Sequence, residues 1–163
     1  MRQDKQTGWP LAVDPASLDG VKLKKWHIDE SFGFRVKVLN APMVKARGAW
    51  TLNVNRDFLQ DLVLRALTRK ATRLTGNEIR FVRQSASLTQ AKFAEKFDVS
   101  NVAVHKWEQE GDLSPNIKWP LEREIRLFIL DNLEGKDAAL GQLYRALRSP
   151  ARPSEGKPIA VAA

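Results

Sequence analysis

The sequence predicts an α+β chain, with a small antiparallel β part followed by an all-α part. Three observations carry this. Apolar residues alternate with polar ones between Val21 and Val54, and from Arg56 onward they recur at helical spacing. Thr75, Thr89 and Ser100 each stand just ahead of an apolar-periodic run, where a helix N-cap belongs. Finally, Phe93, Ala94, Phe97, Val99, Val104 and Trp107 fall where two short helices closed by a tight turn would bury them.

Taken in order, residues 1–20 hold Gly8, Pro10, Pro15 and Gly20 with little periodicity, and predict an irregular or mobile arm. Residues 21–72 predict a β-rich module with one helix. Phe32, Phe34, Val36 and Val38 alternate with Gly33, Arg35 and Lys37, and Trp50, Leu52 and Val54 alternate with Thr51 and Asn53. Asn40, Pro42 and Gly48 punctuate the connection, and Val21, Leu23 and Ile28 suggest a shorter strand. Leu59, Leu62, Val63, Ala66 and Leu67 mark one face of a helix from about Arg56 to Lys70, with Asn55 as its N-cap. Residues 73–148 form the all-α part. In LTGNEIRFVRQSA, Thr75 with Glu78 three residues on is a capping-box pattern. After Pro120, Leu121, Ile125, Phe128 and Ile129 mark another helix, with Leu127, Leu130 and Leu133 on its other faces. Such a helix is covered on more than one side, either by a following helix at 137–148 or by a second copy of the chain. The tail 149–163 is rich in Pro and small residues and predicts disorder.

Composition bounds the chemistry. The 163 residues carry no cysteine and two histidines, His27 and His105, which removes disulfides and Cys-ligated zinc and makes metal or cofactor chemistry improbable. No apolar run approaches the ~20 residues that span a bilayer, and MRQDKQTGWP lacks a signal-peptide core, so the expectation is a cytoplasmic protein without membrane contact. The net charge of +8 points to a polyanionic partner, nucleic acid first. Its distribution is uneven. Residues 1–74 hold 14 Lys/Arg and 7 Asp/Glu, residues 75–133 hold 8 and 9, and residues 134–163 hold 5 and 3. The helices expected in residues 75–133 are therefore nearly neutral as a block.

The stretch LTQAKFAEKFDVSNVAVHKWE, residues 88–108, resembles the Xre/Cro-type helix-turn-helix family, and the likeness extends over roughly Leu74 to Leu133. It departs at Asp98, where the family usually has glycine; that position commonly needs a left-handed backbone, which Asp tolerates better than most residues. The order of elements, with an LTG-x-E-x-R-x-x-R entry, is similar to MqsA-like antitoxins, although their cysteine zinc site has no counterpart here. The resemblance implies a dimeric, cytoplasmic repressor of bacterial, plasmid or phage origin. It would bind a palindromic operator in double-stranded DNA as an antitoxin-like autoregulator, with a toxin as a possible partner.

The same resemblance implies residue roles. Gln90 would bond a phosphate and brace the second helix. Asn101 would meet an adenine edge, Val102 and Ala103 thymine methyls, and Lys106 a guanine or a phosphate. His105 would contact phosphate. Val102 can equally pack on its neighbours, and Lys106 can be a solvated helix residue. Trp107 and Glu108 read as structural, one as core and one as brace. The densest basic stretch supplies Arg69, Lys70, Arg73, Arg80 and Arg83 as further phosphate contacts, whereas the strand lysines are as readily a solvated face. Two other readings compete. One is an interaction module that masks a toxin or bridges to transcription machinery. The other is an enzyme built on His27, Asp29 and Glu30, a short polar cluster expected in a turn; the expectation is no catalytic residues and no enzyme.

Overall fold

Val36, Val38, Ala41, Met43 and Val44 are all buried, and they make one strand the centre of a four-stranded sheet. The computed structural model describes residues 3–4, 7–14, 20–133, 153–154 and 156–162. Strand β1 (Val21–Asp29) runs antiparallel along one side of β2 (Val36–Ala46), with Val21 opposite Val44 and Asp29 opposite Val36. The other side of β2 is shared by two short strands. β3 (Ala49–Leu52) pairs antiparallel with Met43–Ala46, and β4 (Ile159–Val161) pairs parallel with Val36–Val38. Arg47 and Gly48 both take positive φ (50° and 81°), the pattern of a two-residue type I′ hairpin, whose twist matches the strands it joins.

The helices follow β3: α1 (Arg56–Arg69), α2 (Gly76–Ser85), α3 (Gln90–Lys96), α4 (Asn101–Gln109) and α5 (Trp119–Asn132). The mixed α+β class predicted from the two periodicities is thus what the chain forms. No helix among the described residues is long and apolar enough to cross a membrane. The chain divides into two packed units. One is Met1–Glu30 with Arg35–Val63 and Pro158–Ala163, and the other is Ser31–Phe34 with Leu64–Lys157. The division falls inside α1, between Val63 and Leu64, and Leu59, Val63, Leu64 and Leu67 are all buried.

Several local expectations are corrected. The alternating run from Phe32 is not strand until Val36; Gly33 turns the chain at φ 85°, and Phe32 and Phe34 stack edge-on against Phe81 of α2, with centroids 5.2 and 5.4 Å away. Asn40 and Pro42 lie within β2. Asn40 takes the left-handed φ of 48° and interrupts the ladder for one pair without changing its register. The strand at Val21 is nine residues long, not short, and it holds His27 and Asp29 within regular pairing rather than in a turn. Asp29 and Glu30 are each beside an arginine, Arg56 at 3.5 Å and Arg35 at 3.6 Å.

The N-terminal arm is irregular but held. Trp9 is fully buried and donates its indole N–H to Leu39 O at 3.1 Å. Asn53 exchanges two hydrogen bonds with the Val13 backbone, at 2.9 and 3.0 Å. In the tail, Ile159, Ala160 and Val161 are a strand where disorder was expected; β-branched Ile and Val supply strand propensity, and Val161 is buried. The helix expected at 137–148 lies outside the described residues, as do 149–152 of the tail.

Candidate nucleic-acid interface

Helices α2, α3 and α4 are each begun by a side-chain cap, as the sequence predicts. Thr75 and Glu78 form a complete capping box at α2, Thr89 accepts from Lys92 N–H at α3, and Ser100 accepts from Ala103 N–H at α4. Each cap is worth roughly 1 kcal/mol, which matters for helices of seven to ten residues that cannot stand alone. Between α3 and α4 the chain reverses over four residues. Phe97 closes α3, Asp98 takes φ 51°, and Val99 N–H returns to Ala94 O at 3.0 Å. Asp98 therefore holds the left-handed conformation its position demands.

The two helices cross over Phe93, Ala94 and Val104, all buried. Phe93, Phe97 and Phe128 of α5 form an aromatic cluster with centroids 4.7 to 6.2 Å apart. Val99, Phe97 and Trp107 are only half-buried, so Val104 and Phe93 carry the core role expected of the turn valine and the tryptophan. Gly76 explains how closely α2 meets α4. A Cβ there would lie 2.3 Å from Trp107 O and 2.9 Å from Gly111 N, a contact only glycine permits.

Glu108 locks α4 in place. Its carboxylate, 2 % exposed, accepts from Arg83 Nε at 2.6 Å and Nη2 at 3.0 Å, from Gln90 Nε2 at 2.9 Å, and from Arg80 Nε at 3.4 Å. Burial by itself pushes this carboxyl up. Hydrogen bonds from Arg83 and Gln90, with the charges of Arg83 and Arg80, outweigh it and hold the pKa below its ordinary value. Glu108 is the brace expected of it, and Gln90 joins α3 to α4 through it.

Two more buried carboxylates take up the basic joint. Lys70 Nζ lies 2.9 Å from both Glu78 oxygens and donates to Arg73 O at 3.1 Å. Arg73 donates through Nε to Glu122 and through Nη2 to Ile117 O. Arg126, 1 % exposed, donates to Glu122 Oε1 at 2.7 Å and to the Lys70 and Thr72 carbonyls at 2.7 Å each. Lys70, Arg73 and Arg83, which the sequence offers as phosphate contacts, all have internal partners. These side chains are 11 %, 19 % and 13 % exposed, and their donors meet internal acceptors. Arg80 keeps part of its guanidinium in solvent, and Arg69 is exposed.

The outer face of α4 is different. Asn101, Val102, His105 and Lys106 are exposed, Val102 by 61 %, and Ala103 is half-buried. None of the four exposed residues has an ionic partner among the described residues. They form a contiguous strip of an amide, an apolar branch, an imidazole and an ammonium on a helix fixed from behind.

Sequence reasoning missed the Glu122–Arg73–Arg126 cluster and the close approach at Gly76. Its one visible signal was Glu122 four residues before Arg126, a spacing that pairs charges along a helix. Comparison with family models, with curated proteins and with solved structures finds no match for this chain.

Proposed function

We propose that the chain is a sequence-specific, duplex-DNA-binding transcriptional repressor of the Xre/Cro helix-turn-helix type, acting as a homodimer on an inverted repeat. The observation that carries the reading is the outer face of α4. Asn101, Val102, His105 and Lys106 are presented together and unpaired, while the buried Glu108 near the end of the helix is tied to Arg83, Arg80 and Gln90. A helix held from behind and free in front is what insertion into a major groove requires.

On this reading Asn101 pairs with adenine N6 and N7, Val102 and Ala103 meet thymine methyls, and Lys106 reaches guanine or phosphate. His105, Arg69 and the solvent-facing part of Arg80 contact phosphates, and Gln90 offers its second amide N–H there. The face carries little charge, so recognition weighs base-edge contacts above phosphate attraction and favours A·T-containing half-sites. The protein acts without catalysis or cofactor. An antitoxin form of the reading adds a toxin as partner, and stoichiometric co-purification of a small protein tests that form.

The decisive experiment selects bound duplexes from a random pool at near-physiological salt and footprints the winner. The expected result is a palindrome with half-sites about one helical turn apart. Asn101→Ala or Lys106→Ala should each lose ~1–3 kcal/mol of discrimination at one base position. Equal affinity for selected and random duplex at every salt concentration would overturn the reading.

A further inference from the structure

The lysines of the sheet take no part in the α4 reading, and they are not scattered. Lys22, Lys24 and Trp26 follow at two-residue spacing in β1, which puts them on one face. Lys22 Nζ lies 3.8 Å from the centroid of the Trp50 ring, and Lys37 Nζ lies 5.2 Å from that of Trp26. Lys45 stands opposite Trp50 in the β2–β3 register, so it belongs to the same face. Trp26 is 50 % exposed and Trp50 38 %. Among the described residues none of these four lysines pairs with a carboxylate, while the neighbouring Asp29 and Glu30 lie beside Arg56 and Arg35.

We propose that this face binds a single strand of nucleic acid, RNA or DNA, with bases stacked on Trp26 and Trp50 and phosphates held by the lysines. Two exposed indoles within a patch of unneutralised ammonium groups combine the two elements that sequence-tolerant strand binding uses. The lysines now resting on the rings do not block it. An exposed cation–π contact is weaker than a stacked base, so a base displaces the ammonium and the freed lysine reaches the flanking phosphate. Trp26 lies opposite Leu39 and Trp50 opposite Lys45, six residues along β2. At ~3.3 Å per residue that is roughly 20 Å, a span for several nucleotides of extended strand. A duplex keeps its bases stacked on each other and offers the indoles nothing. An acidic peptide satisfies the lysines but leaves the rings without a planar partner. This inference stands on the sheet alone and does not depend on α4.

The test is fluorescence anisotropy of labelled oligothymidylate and oligouridylate, each about 20 nucleotides, with the full chain at about 0.05 and 0.15 M salt. The expected result is binding that weakens with salt, the tighter of the two polymers marking the preferred strand. Trp26→Ala and Trp50→Ala should each weaken it about tenfold, whereas Trp50→Phe keeps most of it. Lys22→Gln and Lys45→Gln should each flatten the salt slope by about 0.7. Asn101→Ala should leave it unchanged, which separates this site from the α4 reading. Unchanged melting curves of the tryptophan variants exclude misfolding as the cause of any loss. Absence of single-strand binding at the lower salt overturns the proposal, as does binding insensitive to both tryptophans. Equal competition by polyglutamate, or by duplex, overturns it in favour of a different partner.

Discussion

Replacing Glu108 by Gln keeps the volume and one acceptor oxygen but removes the charge that gathers Arg83, Arg80 and Gln90. Breaking a buried ion pair by deleting one partner costs about 3–5 kcal/mol. Two features lower that figure here. Arg80 is 39 % exposed, meets the carboxylate only at 3.4 Å and can hydrate instead. Arg83 keeps its bond to Leu88 O at 2.8 Å. The expected loss is therefore about 2–3 kcal/mol, or roughly 5–10 °C in Tm for a chain of this size. Urea and thermal unfolding followed by circular dichroism measure it. Because the folded-state pKa of Glu108 is held below that of the unfolded chain, its contribution is full above about pH 4.3 and is lost as pH falls through the lower folded value. The gap between wild type and Glu108→Gln should accordingly narrow in that acidic window. A gap under about 0.5 kcal/mol at neutral pH, or one undiminished at pH ~3, would refute the brace as described.

Further outcomes follow from particular residues. Asp98→Gly removes a non-glycine residue from φ 51° and should stabilise by up to ~1 kcal/mol, whereas Asp98→Val should cost ~1–2 kcal/mol, both read from urea midpoints. Gly76→Ala drives a methyl into Trp107 O and should destabilise by at least ~2 kcal/mol in the same assay. Arg73→Ala should lower Tm with little change in the salt slope of operator binding, while Lys106→Ala should reduce that slope by about 1 and leave Tm unchanged, as paired melts and salt titrations would show.

The helical half of the molecule was legible because its signals are local. Thr75, Thr89, Ser100 and Asn55 sit next to the N–H groups they cap, and a cap needs only a three-residue pattern. Asp98 was legible for the same reason, since one backbone angle decides it. The sheet was read less well because period two does not say where pairing starts. Phe32 and Phe34 continue the alternation of Val36 and Val38, yet a glycine turn sends them to Phe81. β4 was missed because its stability comes from a partner more than 100 residues away, which no window along the chain contains. On α4, where the family resemblance singled out Asn101, Val102, Ala103, His105 and Lys106, all but the half-buried Ala103 are exposed. The internal partners of the basic joint were not legible, because sequence counts a cation without saying which carboxylate it meets.

On the proposed function, the buried carboxylates change how the charge of the chain bears on DNA binding. Glu78, Glu108 and Glu122 are each at most 3 % exposed, and burying a carboxylate unpaired is prohibitive. Each recruits its cations from the stretch that looked like a phosphate clamp: Lys70 for Glu78, Arg83 and Arg80 for Glu108, Arg73 for Glu122 with Arg126 added from α5. A phosphate approaching Arg83 would have to replace a two-point bond to Glu108 and leave that carboxylate buried without it. The exchange is unfavourable, so on the proposed function Arg83 positions α4 instead of touching DNA. On the proposed function, operator affinity must then come from base-edge contacts repeated across two half-sites more than from counterion release. The salt dependence of operator binding should be shallow for a protein with a net charge of +8.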